Sequence, residues 1–322
     1  SRMSSILPAH DHVRFDDSSG AFEVRTGFVH VQTDSMHFVA GGLISTAAEM
    51  GSTLLRAAYS MTVREGSDFS TGVFDAEGML QAYAPQGLSR IASQYRDPNN
   101  PPAWVGMDVW GATICFNTVE AAKRGIPKPE TWKDLTKPIY KGQVVMPHPA
   151  SSGTGFFDVT AWLQMFGEAE GWKFMDGLHE NIAQYMHSGS RPCASAANGE
   201  YVVGISFEYR ANREKAQGKP IDLVFPKEGL GWDLEAIGIH KGTKQQAAAQ
   251  KLVDWAVSDA AMALYAKNWA IVAVPSLSQP LPNVPANYGA MLAKNDFAWA
   301  AKNRDKILAE WSRRYESKAA PK

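Results

Sequence analysis

The residues Met146-Pro147-His148-Pro149-Ala150-Ser151-Ser152-Gly153-Thr154-Gly155-Phe156 gather hydroxyls and glycines between an apolar run and a helical pattern. A strand that ends, a loop of small residues and a helix that begins make a natural cradle for a tetrahedral oxyanion. The first N–H groups of a helix have no partner within it, and Ser151, Ser152 and Thr154 add donors beside Gly153. No lysine follows the glycine, so the segment is not a phosphate-binding loop of the nucleotide-hydrolase type, and it does not match the dinucleotide fingerprint. The plainer reading is ordinary capping of the helix by Ser or Thr.

Two further clusters carry complementary chemistry. In Gly204-Ile205-Ser206-Phe207-Glu208-Tyr209-Arg210 a strand again hands over to a helix, the place where open α/β folds hold ligands. Tyr209 offers a phenol and Arg210 a planar fork suited to an oxyanion; taken singly, each also reads as a surface side chain. In Gly229-Leu230-Gly231-Trp232-Asp233-Leu234-Glu235, an aromatic face next to the carboxylates of Asp233 and Glu235 favours an ammonium group. Asp108, between Trp104 and Trp110, has the same character. For both, the plainer reading is a turn or strand with a core tryptophan. If the clusters converge, the pocket is dipolar, which suits a small zwitterion bearing a phosphonate.

No catalytic set stands out. The eight histidines show no metal-ligand spacing, and Ser188-Gly189-Ser190 lacks the context of a nucleophile elbow. His148 is the one tempting acid–base group, and a loop histidine there also reads as a binder or bystander. The expectation is a non-enzymatic protein with no cofactor and no metal. Cys115 and Cys193 are too few for a disulfide scaffold; one bridge and two buried thiols both remain open.

The chain of 322 residues, 45% hydrophobic with a formal net charge of −1, is neither disordered nor a nonspecific nucleic-acid binder. It contains no apolar run long enough to span a membrane. The start lacks the apolar core of a secretory signal: either a signal was removed ahead of Ser1, or the protein is cytoplasmic. Ser1-Arg2 before Met3 has the look of an expression scar, making Met3 the expected encoded start. Charge is uneven, with no lysine before Lys123, a net of −5 over residues 1–80 and +4 over 81–322.

The elements that must position these groups alternate between strand and helix. Residues 1–37 read as weak strands or an extended arm, Gly42–Ser60 as a helix and Thr71–Phe74 as a strand. Trp104–Asn117 is a long apolar run suited to a buried strand. Then come helix Val119–Arg124, strand Gln143–Met146, helices Gly155–Gly167 and Gly171–Glu180, strand Tyr201–Ser206 and helix Glu208–Gln217. Strands Ile221–Phe225 and Leu234–His240 precede helices Lys244–Val257, Ala260–Asn268 and Asn303–Tyr315. The alternation predicts an α/β architecture with largely parallel sheets.

From about Asp75 onward the chain resembles the periplasmic solute-binding proteins of ABC importers, and within them the 2-aminoethylphosphonate-binding group. The resemblance is carried by Asp75-Ala76-Glu77-Gly78-Met79-Leu80-Gln81-Ala82-Tyr83-Ala84-Pro85, Trp104-Val105-Gly106-Met107-Asp108-Val109-Trp110, Ile114-Cys115-Phe116-Asn117-Thr118, Pro149 through Phe156, and Gly204-Ile205-Ser206-Phe207, continuing through Phe225-Pro226-Lys227-Glu228-Gly229 and Trp232-Asp233-Leu234-Glu235-Ala236. It implies a type II binding fold, two lobes joined by crossover strands, closing about a hinge. Residues 81–109 and 229–322 form lobe 1 in that reading and 110–228 lobe 2, after an atypical segment 1–80. It further implies that Ser151, Ser152 and Thr154 hold a phosphonate with Tyr209 beside it. The expected partners are a small phosphonate or phosphate ligand and the permease subunits of an ABC transporter; the expected state is a periplasmic monomer.

Residues 1–74 depart from that family, and residues 33–80 resemble another. Thr33-Asp34-Ser35-Met36-His37-Phe38, Gly42 through Ser60 and Val63 through Gly78 resemble the N-terminus of the hydantoinase B, oxoprolinase and acetone carboxylase alpha-subunit family. Asp75-Ala76-Glu77-Gly78 fits both families and is the expected junction of a chimera. The alternatives to a binding protein are then a fragment of such an enzyme subunit, or a fusion that has lost its ligand.

Overall fold

The computed structural model describes residues 13–16, 21–26, 29–31, 80–267 and 270–321. The chain divides into two compact units, residues 1–67 and residues 68–322. In the first, strands β1 (Val13–Asp16), β2 (Ala21–Thr26) and β3 (Val29–Val31) form an antiparallel sheet in the order β1-β2-β3, as the alternating stretches of the arm predict. The expected helix Gly42–Ser60 and strand Thr71–Phe74 lie outside the described residues.

The second unit is organised by one long strand. After the short β4 (Leu80–Gln81), β5 runs over Trp104–Asn117, rich in the β-branched and aromatic residues that favour a pleated surface. The elements that follow are α1 (Thr118–Arg124), β6 (Val144–Pro147), α2 (Gly153–Phe166), α3 (Glu168–Asn181), β7 (Ile182–Met186), α4 (Arg191–Ala197), β8 (Val203–Phe207), α5 (Glu208–Ala216) and β9 (Ile221–Val224). Beyond them lie β10 (Trp232–His240), α6 (Gln246–Ala256), α7 (Asp259–Lys267), β11 (Ile271–Val272), α8 (Tyr288–Met291) and α9 (Phe297–Tyr315).

The strand order is β4-β10-β5-β8-β6-β7, with β9 and β11 also pairing with β5. The first half of β5 pairs with β10 (Trp232 opposite Gly111, Asp233 opposite Trp110, Glu235 opposite Asp108) and with β11. Its second half pairs with β8 (Ala112 opposite Phe207) and β9. One strand thus changes partners at Gly111–Ala112, as a crossover strand between lobes must.

This corrects one expectation. Among the described strands, parallel pairing is confined to β6 with β7 and β8, whereas the four strands paired with β5 run antiparallel to it. The helices do not return every strand in the same sense, because β5 serves as the edge-to-edge link of two sheets rather than as one step of a repeated βαβ unit.

Two apolar clusters sit at the two ends of β5. One contains Val105, Val109, Trp232, Leu234, Val253 and Met262. The other contains Ile114, Phe116, Trp132, Val144, Trp162, Leu178 and Tyr185. The buried face of α9 (Ala300, Ile307, Trp311, Tyr315, at helical spacing) belongs to the second cluster. The last helix, grouped by the sequence reading with 229–322 in lobe 1, therefore packs on the core of residues 112–224. A third, small cluster surrounds Cys115 and Cys193, which are joined in a disulfide with a Cα–Cα distance of 5.3 Å. Of the two open readings of the cysteines, the structure forms the bridge. Among the described residues no helix is long and apolar enough to cross a membrane, and no group of three or more His, Cys, Asp or Glu is placed to hold a metal ion.

Candidate ligand-binding site

Parallel pairing of β6 with β7 brings the loops at their C-terminal ends side by side. The first loop is the hydroxyl-rich one. His148 N–H donates to the Met186 carbonyl at 2.7 Å, and the Ser152 N–H donates back to the His148 carbonyl at 2.9 Å, folding the loop tightly before α2. Ser152 is the residue ahead of the helix, in extended conformation, yet its hydroxyl makes no capping bond. The plain capping reading therefore leaves this side chain unexplained. The Ser152 and Thr154 hydroxyls both lie against Gly189 of the second loop. A Cβ there would stand 2.5 Å from Thr154 Oγ1 and 3.2 Å from Ser152 Oγ, so only glycine permits the approach.

The second loop is His187-Ser188-Gly189-Ser190, of which Ser188-Gly189-Ser190 lacks the context of a nucleophile elbow. Its position is fixed from below: buried Ser206, on β8, donates to the Gly189 carbonyl at 2.7 Å, and Ser188 Oγ accepts the N–H of Arg191 at the start of α4. Only the small-residue loop between a short strand and a helix with Pro192 in its first turn signalled it in sequence. His187 is buried and bonded at both ring nitrogens, to Ser151 Oγ at 2.7 Å and to the Ala320 carbonyl at 2.9 Å. His148 is buried against Trp311, with Nδ1 accepting the Ala150 N–H and Nε2 3.2 Å from Glu316. That holds the loop to the chain's end and accounts for the histidine structurally.

The remaining candidates divide. Tyr209 stacks on Phe207, which meets Trp110, which in turn meets Phe157 in the first turns of α2. This aromatic row joins the start of α5 to the helix of the hydroxyl loop. Arg210 is half-buried and paired with Glu214, while its Nε has no hydrogen-bond partner among the described residues. Trp232 is a core residue: its indole donates to the Ala293 carbonyl at 2.7 Å and its rings pack on Tyr95 and Phe297.

Asp108, Asp233 and Glu235 share one face of the β5–β10 ladder, because Asp108 stands opposite Glu235 and Trp110 opposite Asp233. Burial, then the negative charges of Glu235 and Glu208, raise the Asp108 carboxyl well above its ordinary range. Burial pushes Asp233 up to about 8, although it accepts the Leu234 N–H. Glu235 is open to water on this face, yet the protein around it raises its carboxyl as well. Glu208, absent from the sequence candidates, completes the group: it is buried, raised to about 7 by desolvation, and accepts the Gly111 N–H at 2.7 Å where β5 changes partners. The Tyr288 hydroxyl lies beside the same carboxyl without meeting hydrogen-bond geometry. Among the described residues none of these four acids forms an ion pair with a lysine or arginine. Trp110, on the same ladder face as Asp108 and Asp233, links this acidic group through the aromatic row to the first turns of α2.

The profile of the bacterial extracellular solute-binding proteins matches residues 67–303. That of hydantoinase B/oxoprolinase matches residues 35–94. Among curated proteins, an uncharacterized protein of Haemophilus influenzae is 32% identical over 217 residues, 65% of this chain and 63% of that protein. A probable ABC transporter periplasmic-binding protein of Sinorhizobium fredii is 27% identical, covering 69% and 62%, and the spermidine/putrescine-binding periplasmic protein of Escherichia coli is 26% identical, covering 56% and 53%. The chain spans less than two thirds of the length of these relatives. Of solved structures, the periplasmic binding protein AfuA of Actinobacillus pleuropneumoniae, with exogenous fructose-6-phosphate bound, superimposes with a TM-score of 0.68 at 30% identity, covering 74% of this chain and 77% of that one. The apo ferric ion-binding protein A of Pasteurella haemolytica shares the fold, with a TM-score of 0.61 at 20% identity over 73% and 76%. The long strand shared by two sheets, the two strand-end loops beside it and a profile covering well over half of the sequence lead to one conclusion: the chain belongs to the bacterial extracellular solute-binding proteins.

Proposed function

We propose that this protein is the extracytoplasmic binding component of an ABC importer and takes a small phosphonate- or phosphate-bearing amine, such as 2-aminoethylphosphonate, between its two lobes. The observation that carries the reading is the Ser152 hydroxyl, uncommitted to capping and set with Thr154 against Gly189 at the start of α2. Hydroxyl and helix-start N–H donors suit a phosphoryl group. The acids Asp108, Asp233 and Glu235, on the ladder face that carries Trp110, suit an ammonium. The relatives supply each half of this chemistry separately: one solved structure is described with fructose-6-phosphate, one curated relative as binding spermidine and putrescine. In this reading Ser151, Ser152, Gly153, Thr154 and Tyr209 serve the anion with Arg210 nearby, Trp232 supports the wall from the core, and the protein works as a monomer with permease subunits.

Calorimetric titration with 2-aminoethylphosphonate, inorganic phosphate, fructose-6-phosphate and putrescine tests it. The expected result is tightest binding of the aminophosphonate. Folded protein that gives no heat with any of the phosphorus compounds overturns the reading. The hydantoinase-type match at residues 35–94 favours a second reading, a fusion whose N-terminal segment has cost it the ligand. That reading requires an unchanged melting midpoint at saturating aminophosphonate, since a ligand of the native state alone must raise it.

A further inference from the structure

His187 faces an acceptor on one side and a hydroxyl on the other. The Ala320 carbonyl, 2.9 Å from Nε2, can only accept, so Nε2 carries the hydrogen. In the neutral ring Nδ1 is then an acceptor, and the Ser151 hydroxyl, 2.7 Å away, must donate to it. Its proton is thereby turned away from the helix start, and the lone pairs of Ser151 Oγ are what remain for a ligand. An oxyanion arriving there meets an acceptor where it needs a donor.

From this geometry we infer that His187 is a positioning residue for Ser151 and takes up one proton from solvent when an oxyanion binds. Protonation puts a hydrogen on Nδ1, which then donates to Ser151 Oγ. The hydroxyl hydrogen is released to point at the anion, and the imidazolium adds a positive charge behind it. The groups around the ring are compatible. The His148 ring lies 4.9 Å away on the β6 side and is itself bonded to Glu316, whose carboxylate favours added positive charge nearby. On the tail side the Ala320 carbonyl faces the ring, and on the loop side the Ser151 hydroxyl. The tail is held in turn by the Ala320 N–H donating to the Tyr185 carbonyl at 2.8 Å. The inference rests on the anion site proposed above and adds to it a proton linkage that Ser152 and Thr154 do not supply.

Calorimetry with 2-aminoethylphosphonate in buffers of different ionisation enthalpy counts the protons exchanged. Wild type should take up close to one proton more than His187→Gln, which keeps a neutral hydrogen-bonding group. Its affinity should weaken as pH rises relative to that of the variant. Equal proton counts with binding retained overturn the inference and leave the anion site standing. If wild type binds no phosphorus compound, the site reading falls and this inference with it. Should His187→Gln fail to fold, histidine NMR titration of wild type decides. One imidazole must titrate at higher pH with aminophosphonate than without it, and Ser151→Ala must abolish most of that change; no change in any histidine overturns the inference.

Discussion

Asp108 and Glu235 stand directly opposite each other on adjacent antiparallel strands, two carboxyl groups on one face with no cation paired to either among the described residues. Like charges across a ladder destabilise it, and a site that retains them must hold protons or a ligand cation. Asp108 and Glu235 are raised, Glu208 to about 7 and Asp233 to about 8, in each case with burial as the first cause. A raised acid keeps its proton in the folded state while the unfolded chain releases it near pH 4. Its stabilising contribution is therefore whole below that pH and lost as pH rises through the folded value. The melting midpoint of wild type should fall between about pH 5 and about pH 9. Asp108→Asn should flatten that fall, adding about 1 kcal/mol and roughly 2–4 °C at the alkaline end. A midpoint that climbs over this range contradicts the assignment.

The same pair predicts a ligand signature. Asp108→Asn and Glu235→Gln should each weaken 2-aminoethylphosphonate about tenfold or more, the worth of a charge-assisted hydrogen bond, and leave inorganic phosphate unaffected. Equal losses for both ligands would mean that the acids act on the fold and not on an amine. The comparison needs only two titrations per variant.

Gly111 is the point where β5 changes sheets, and its surroundings are crowded on both sides. Its N–H is held by Glu208, and a Cβ added to it would stand 2.2 Å from Tyr288 Oη. Gly111→Ala should destabilise by about 1–3 kcal/mol through overpacking. Glu208→Gln, which keeps the acceptor, should leave the midpoint unchanged in acid and remove the part of the pH dependence centred near 7. Glu208→Ala leaves the Gly111 N–H buried without a partner and should cost about 1–3 kcal/mol at any pH. Thermal melts over a pH series separate the three outcomes.

How far the sequence alone reaches is visible in two contrasting segments. Strand β5 is legible to its end residues, because fourteen positions of apolar and β-branched character admit little else. Its partners are not legible: nothing in Trp104–Asn117 announces four antiparallel neighbours, which depend on strands up to about 160 residues away along the chain. The hydroxyl loop was recognisable from local spacing, since strand end, small residues and helix start are contiguous. The second loop was not, because Gln184 interrupts the short β7 and the value of Gly189 lies in its approach to Thr154. The role of His187 is set by a carbonyl 133 residues onward. Trp232 misled for the same reason: an aromatic beside two acids reads as a ligand wall, and only Ala293, Tyr95 and Phe297 show it to be core.

Gly189 permits a direct test of the two-loop arrangement. Its added Cβ would meet Thr154 Oγ1 at 2.5 Å and Ser152 Oγ at 3.2 Å, where Gly189 approaches the hydroxyls of the first loop. Gly189→Ala should weaken aminophosphonate and inorganic phosphate alike, by about tenfold or more, since the helix-start donors are displaced together. The midpoint without ligand should fall by only a few degrees, as for overpacking at a single methyl. Loss of affinity for both anions with the fold kept is the expected outcome; unchanged affinity would place the anion elsewhere.

The Cys115–Cys193 bridge ties the second half of β5 to α4, just beyond the His187–Ser190 loop. Both sulfurs are fully buried, and the bridge closes 78 residues of chain. Closing a loop of that length restricts the unfolded chain by about 4 kcal/mol in the chain-entropy account. Cys115→Ala with Cys193→Ala should therefore lower the melting midpoint by roughly 8–16 °C. The native protein should resist mild reductant, because a thiol cannot reach the bridge without opening the core around Ala196, Ala211 and Ile221. The cysteine-free protein should still bind aminophosphonate below its midpoint, since the bridge packs in the small cluster of Ala196, Ala197, Ala211 and Ile221. Binding lost together with the bridge, in protein that circular dichroism shows to be folded, would show that α4 and the Gly189 loop are held in place by the covalent link and not by Ser206 and Arg191.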